Sequence, residues 1–229
     1  ILTAKDRDFF FMKRKTAESV VQTIAELCAK RLPEHMKIPA AEIQVISPTR
    51  KGETGTVNLN TVLQAALNPK SPAKREVLSG EKCFREGDRV MQIRNNYDIL
   101  WKKENGASGT GIFNGDIGTV VSVDPREGLM TVRFDDRLVE YDTDVLSELE
   151  LAYAITAHKS QGSEYRAVIF VPFAGAPMLL TRGVLYTALT RARELLILVG
   201  NEEVVAQMTC NNRRNKRYSG LKHRLAGAL

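Results

Sequence analysis

The sequence predicts an α/β domain built on a parallel sheet and interrupted by a small antiparallel barrel. Three observations predict it. Apolar runs alternate with helical periods before Asn68, short alternating segments with turn signals fill the middle, and the α/β rhythm returns after Glu150. The chain has 229 residues, 43% hydrophobic and 26% charged, close to the globular average and unlike a disordered or collagenous chain. No apolar stretch approaches the roughly 18 residues of a membrane helix.

Asp8 to Met12 reads as a buried strand, and Thr16 caps the helix that follows, with Glu18 where the helix dipole favours an acid. Val20, Val21, Ile24, Leu27, Cys28 and Leu32 give that helix one apolar face, and it is expected to end before Pro33. Ile43 to Ile46 is a second strand, leading into the polar loop Ser47–Gly52. Val57 to Leu67 has a helical period stopped by Asn68-Pro69.

Pro69 to Gly80 is proline-rich and basic and marks a boundary. Barrel strands are expected at 88–93, 117–123, 129–134 and 138–141, and Trp101, Lys102 and Lys103 fall in a glycine-rich loop between the first two. Leu151 to Ile155 and Ala167 to Val171 restart the parallel sheet. Arg182 to about Arg193 is expected as a helix, Leu195 to Val199 as a last strand, and Asn201 caps a helix through Met208. The division is therefore 1–79 and 150–229 for the α/β domain and 80–149 for the barrel.

Charge and cysteine usage narrow the function. The net charge is +6 and the isoelectric point about 9.3. Six Lys/Arg and no acid lie between Asn211 and Leu229, a tail suited to a polyanion. Three cysteines and three histidines have no metal-site or disulfide spacing. No metal site is expected, and a cytoplasmic, reduced setting is the default.

Several chemistries lack their residues. No G-x-x-x-x-G-K-[ST] is present. Gly109 to Gly115 imitates a dinucleotide fingerprint with the wrong spacing, and Asp135-Asp136 reads as a surface turn rather than a magnesium pair. Ser163 lacks the frame of a hydrolase nucleophile.

Three segments carry the functional signal: Ser-Pro-Thr-Arg-Lys-Gly at 47–52, Thr-Ala-His-Lys-Ser-Gln-Gly-Ser-Glu at 156–164, and Tyr-Thr-Ala-Leu-Thr-Arg-Ala-Arg at 186–193. Ligands of open parallel sheets bind beyond the carboxyl ends of strands, so the first two loops should share one edge bearing Arg50, Lys51, His158 and Lys159. On a helix at about 100° per residue, Arg191 and Arg193 lie about 200° apart and flank the face of Val184, Leu185, Ala188, Leu189 and Ala192.

These segments resemble motifs IV, V and VI of superfamily 1 DNA helicases of the RecD-like type, over nearly the whole chain. The resemblance implies a RecA-like domain, the P-loop NTPase fold without its own P-loop, carrying an SH3-like barrel. It implies that Arg191 acts as the arginine finger on the γ-phosphate of ATP, joined there by Arg50; Arg193, on the other flank, is left to structure or to a salt bridge such as one with Glu194. Gln161, Gly162 and Glu164 would lie near the nucleotide; Thr156, His158 and Lys159, with Asn96, Trp101 and Lys102 of the barrel, would face single-stranded DNA. ATP and Mg2+ would be held mainly by an N-terminal RecA-like domain absent from this sequence. The chain would then be the carboxyl-terminal half of a 5'–3' helicase of DNA repair and recombination, silent as an ATPase alone. Its implied partners are DNA, its own N-terminal domain, and nuclease or helicase subunits of a recombination complex; no membrane is implied. The competing reading is a non-catalytic nucleic-acid adaptor, which explains barrel and charge but not why the three motifs coexist.

Overall fold

The computed structural model describes residues 8–173, 175–212 and Arg224. The basic tail beyond Asn212 falls almost wholly outside the described residues. Five parallel strands form one sheet: β1 (Phe9–Lys13), β2 (Ile43–Ser47), β12 (Ala154–Thr156), β13 (Tyr165–Phe170) and β14 (Ala192–Gly200), in the order β1-β14-β13-β2-β12. Both neighbours of β14 pair with it along their length, and its burial is almost continuous from Leu195 onward. That is the pattern of a strand covered on both faces. One face packs on α1 (Ala17–Glu26) and α2 (Thr56–Leu67), the other on α3 (Arg182–Leu189) and α4 (Glu202–Cys210), giving two cores.

The local signals account for most helix ends. Thr16 Oγ1 accepts from Ser19 N at 3.2 Å while Ser19 Oγ bonds back to the cap, and Asn201 Oδ1 accepts from Glu203 N at 2.8 Å. The first helix, however, continues past Pro33 to Met36. Its turns widen to π type, and Lys37 N reaches Leu32 O, five residues back. A wider turn carries the carbonyl four residues back away from the proline ring, so the usual clash does not end the helix.

The third helix corrects the sequence in the opposite sense. It stops at Leu189, and Ala192 and Arg193 already belong to β14. Thr190 Oγ1 donates to Tyr186 O (3.0 Å) and Thr187 O (3.2 Å), closing the last turn. Arg191 and Arg193 are therefore not placed by helical periodicity. Glu194 pairs with Arg166 at 2.7 Å, not with Arg193.

The barrel is a seven-stranded antiparallel sheet in the order β11-β5-β8-β9-β10-β6-β7. Its strands are β5 (Arg89–Gln92), β6 (Asn96–Lys103), β7 (Ser108–Ile112), β8 (Ile117–Asp124), β9 (Leu129–Phe134), β10 (Arg137–Tyr141) and β11 (Leu149–Leu151). Leu149 at one end of this order and Ile112 at the other share a core, so the sheet wraps upon itself. The segment read as a loop around Trp101 is the hairpin β6–β7. A separate hairpin, β3 (Glu76–Ser79) with β4 (Lys82–Arg85), adds Val77 and Phe84 to the barrel core. Barrel structure thus extends a few residues beyond both limits of 80–149. The run expected as one strand, Leu151 to Ile155, is split: β11 ends the barrel sheet and β12 begins in the parallel sheet.

A buried carboxylate pins barrel to sheet domain. Asp88 is fully buried and accepts hydrogen bonds from Gln64 Nε2 (2.5 Å) and Asn68 Nδ2 (2.7 Å) of α2 and its cap. It also accepts from Arg85 N (2.7 Å) and from the hydroxyl of Tyr153 (2.9 Å), the residue at the return crossing.

Candidate functional site

Strands β2 and β12 are neighbours, with Thr156 opposite Ser47, so the loops after them start side by side at the carboxyl edge. The first loop is tightly wound. Ser47 Oγ donates to Thr54 O (2.8 Å), and a Cβ at Gly55 would lie 2.5 Å from Lys51 O, leaving room only for glycine. From these loops Arg50 and Lys159 converge on one carboxylate. Arg50 Nη2 is 2.5 Å from Glu150 Oε1, and Lys159 Nζ is 2.8 Å from Glu150 Oε2. Lys82 of β4 stands near enough for its charge to be felt and donates to Leu149 O at 2.8 Å. Burial raises the Glu150 pKa, but the Lys159 hydrogen bond and the charges of Lys159, Arg50 and Lys82 outweigh it, and the net shift is downward. The sequence gives no spacing signal for Glu150 or Lys82, because three chain-distant segments assemble them.

The second loop then leaves that edge. Ser160 is buried and donates to Ala157 O at 2.8 Å, a structural staple. His158, Gln161, Gly162 and Glu164 are exposed, and Thr156 and Lys159 half-buried. Gly162 has φ of +85°, with nothing within 4 Å of an added Cβ, so conformation rather than crowding calls for glycine there. By Tyr165 the chain has reached the amino end of the sheet, where Tyr165 N donates to Arg191 O at 2.8 Å. Eight residues, 157–164, thus run from one edge of the sheet to the other.

Arg191 sits in the turn between α3 and β14. Its Nε donates to Thr187 O (3.1 Å), Nη1 to Ser163 O (3.0 Å) and Nη2 to Thr190 Oγ1 (3.1 Å). The side chain is neither sunk in the apolar interior nor loose: it is locked to the loop that carries Gln161 and Glu164. A guanidinium has five N–H donors, so two remain for an anion. The donor chemistry suits a phosphate oxygen.

Arg50 starts from the other end of the sheet and is held by Glu150. Register sets Tyr165 and Arg191 near the level of Ala41, whereas Arg50 follows Ser47 at the far end of β2. Six residues of strand separate those levels by about 20 Å. The two arginines therefore rise from backbone levels at opposite ends of the sheet.

The barrel residues are placed differently from one another. Asn96 is occupied inside its own turn: Oδ1 accepts from Ile99 N (3.0 Å) and Nδ2 donates to Glu148 (3.0 Å). Trp101 lies on its own hairpin, its ring against Gly109, where an added Cβ would meet it at 2.5 Å, and its Nε1 donates to Thr110 O. Lys102 is exposed. The exposed aromatic pair is instead Tyr97 and Phe113, with ring centroids 5.6 Å apart. Among the described residues no cluster of His, Cys, Asp or Glu could hold a metal ion, and no helix is long and apolar enough to cross a membrane.

Comparison with known proteins identifies the family that the chain resembles. Residues 59–134 match the family described as the ATP-dependent RecD-like DNA helicase SH3 domain, and residues 151–199 match the UvrD-like helicase C-terminal domain. The chain is 36% identical over 183 residues to an ATP-dependent RecD2 DNA helicase of Deinococcus radiodurans, covering 80% of this chain and 23% of that protein. It is 36% identical over 184 residues to the RecBCD enzyme subunit RecD of Mycobacterium tuberculosis, covering 80% and 29%. The chain therefore spans about a quarter of the length of these relatives. A crystal structure of a Bacteroides Pif1 helicase with ADP-AlF3 and ssDNA is similar at 18% identity and a TM-score of 0.49, over 93% of this chain and 51% of that one.

Proposed function

We infer, from the premise that this chain belongs to the RecD-like superfamily 1 DNA helicases, that it is the carboxyl-terminal motor half of an ATP-dependent 5'–3' DNA helicase. One observation carries the reading. A single loop, 157–164, begins beside the cations of the carboxyl edge and, one residue before its end, holds Arg191 through the carbonyl of Ser163. In this reading single-stranded DNA lies along the carboxyl-edge cations, with His158, Lys159 and Thr156 facing it and Lys102 of the barrel nearby. The nucleotide lies at the amino edge, beside Gln161, Gly162, Glu164 and Arg191. Movement at one edge is transmitted to the other through eight residues of backbone. Arg50 belongs to the DNA side.

ATP with Mg2+ supplies the chemistry when bound: phosphoryl transfer to water, through a transition state whose equatorial oxygens gain charge. Arg191 then offers two N–H donors to that charge from a guanidinium already oriented by three protein oxygens. The triphosphate and metal would rest on a P-loop domain, since this sequence has no P-loop. The RecD relative is named as a subunit of an enzyme, which supports assembly with further subunits; in this reading those are nuclease or helicase subunits acting in DNA repair and recombination.

The test uses the purified chain. It is expected to bind a labelled oligothymidylate weakly and in a salt-sensitive way, and to show no ATP turnover above background. Turnover that disappears in Arg191→Ala overturns the half-site reading, and no binding at low salt removes DNA from this half.

A further inference from the structure

Glu150 has no part in the functional reading above, yet it sits among three cations. Its carboxylate bridges Arg50 and Lys159, which come from different loops, and it is carried by β11, a strand of the barrel. Lys82 comes from a third segment, the β3–β4 hairpin. One negative charge therefore faces three positive ones, leaving a surplus of two. A purely structural ion pair does not require that surplus, and pairs this open to water contribute little to stability. The crowding has a physical cost: burial, and the charges of Arg50 and Lys159, hold the Lys82 ammonium below its ordinary pKa, with Glu150 only partly compensating.

The cations have donors to spare. Arg50 donates one of its five N–H groups, to Glu150. Among the described residues Lys159 likewise donates only to Glu150, and Lys82 only to Leu149 O, each using one of three. The Arg50 side chain is 62% exposed and that of Glu150 20%, so the group is open from one side. Its shape is that of an oxyanion seat with an oxyanion already in it.

We propose that Glu150 is a built-in phosphate mimic, occupying a seat framed by Arg50, Lys82 and Lys159 that a phosphodiester of single-stranded nucleic acid takes over on binding. The proposal rests on the reading that DNA follows the carboxyl edge. The carboxylate keeps the three cations gathered when no strand is present and must yield when one arrives. Because Glu150 rides on β11 while Arg50 and Lys159 ride on the sheet-domain loops, that exchange also loosens the barrel's grip on those loops.

Fluorescence anisotropy with a labelled oligothymidylate, across about 50 to 200 mM salt, tests it on the 229-residue chain. Glu150→Gln is expected to bind about three- to tenfold more tightly at the low-salt end, since a like charge beside the phosphate is gone. Its log affinity should fall more steeply with log salt, by about 0.7 for each cation released. Lys82→Gln, which leaves the ion pair intact, should bind more weakly with a shallower slope; an unchanged slope there overturns the seat. Equal affinity and slope in the parent and Glu150→Gln, or weaker binding by Glu150→Gln, also overturns it while leaving the DNA reading standing. Absence of binding by both removes the DNA reading and the seat together. Binding by Glu150→Gln alone supports the seat most strongly.

Discussion

Replacing Asp88 by alanine should be the most damaging single change away from the apolar cores. The carboxylate is wholly buried and satisfies four donors: two side-chain amides at the end of α2, the backbone N–H of Arg85, and the Tyr153 hydroxyl. Each hydrogen bond to a charged acceptor is worth about 1.5–3 kcal/mol net, but the four share one acceptor and do not add. Alanine also leaves the Arg85 N–H and the Tyr153 hydroxyl without that partner, while the two amides keep their bonds to Cys83 O and Glu86 O. The comparison is with breaking a buried charged network by removing one member, about 3–5 kcal/mol, and that is the expected loss. Urea unfolding followed by far-UV circular dichroism measures it. Because the donors come from α2, the barrel and the return crossing, the transition should also broaden as barrel and sheet domain lose their common pin. A midpoint shift equivalent to less than about 1 kcal/mol, with an unbroadened transition, would refute the pinning argument.

Other outcomes follow from the same contacts. Gly109→Ala forces a methyl into the Trp101 ring at 2.5 Å, so the lone tryptophan should change its emission and the chain lose about 1–3 kcal/mol. Unchanged fluorescence would contradict the packing of Trp101 on its hairpin. Burial, then the charges of Glu148 and Asp116, raises the Tyr141 pKa, and its hydroxyl donates to Gln92 Oε1 at 2.8 Å. The neutral phenol's contribution is complete below the unfolded tyrosine pKa near 10 and is lost as pH rises through the folded value. Tyr141→Phe should therefore flatten the alkaline limb of a stability–pH profile. The lowered pKa of Glu150 acts with the opposite sign: its contribution is present above the unfolded carboxyl range and is lost as pH falls through the folded value. Glu150→Gln should accordingly reduce the acid sensitivity of the melting temperature.

Where a rule of local chemistry meets no tertiary competitor, the sequence was legible. Thr16 and Asn201 cap helices as their side chains suggest, Asn68-Pro69 ends α2, and the strands Ile43–Ser47 and Tyr165–Phe170 appear within a residue or two of their apolar runs. Pro33 failed as a stop because the turn widened around it, a choice made by packing against Leu27, Cys28 and Leu32 in the core. The end of α3 was misplaced because Leu-Thr-Arg-Ala-Arg continues a helical period, while pairing of Ala192 with Tyr165 claims the chain for the sheet. The β6–β7 hairpin had a readable signal that went unused: Asn105-Gly106 between two alternating stretches, with Gly106 at φ of +85° and Lys103 N bonded to Ala107 O at 2.7 Å. In the candidate site, the shared edge of the first two loops could be read from strand order alone. Glu150, Lys82 and Asp88 act through contacts between segments far apart in the chain, which no spacing rule reports.

In the proposed function, Arg191 acts on a nucleotide held by another domain while Arg50 serves the opposite edge of the sheet. The most direct test of that division is steady-state, DNA-stimulated ATP hydrolysis by the enzyme with its P-loop domain in place, comparing Arg191→Ala with Arg50→Ala. Arg191→Ala should lower kcat by about 10³-fold or more with nucleotide binding retained, whereas Arg50→Ala should chiefly raise the DNA concentration needed for half-stimulation. A fall of less than about tenfold for Arg191→Ala, or a larger fall in kcat for Arg50→Ala at saturating DNA, would contradict it.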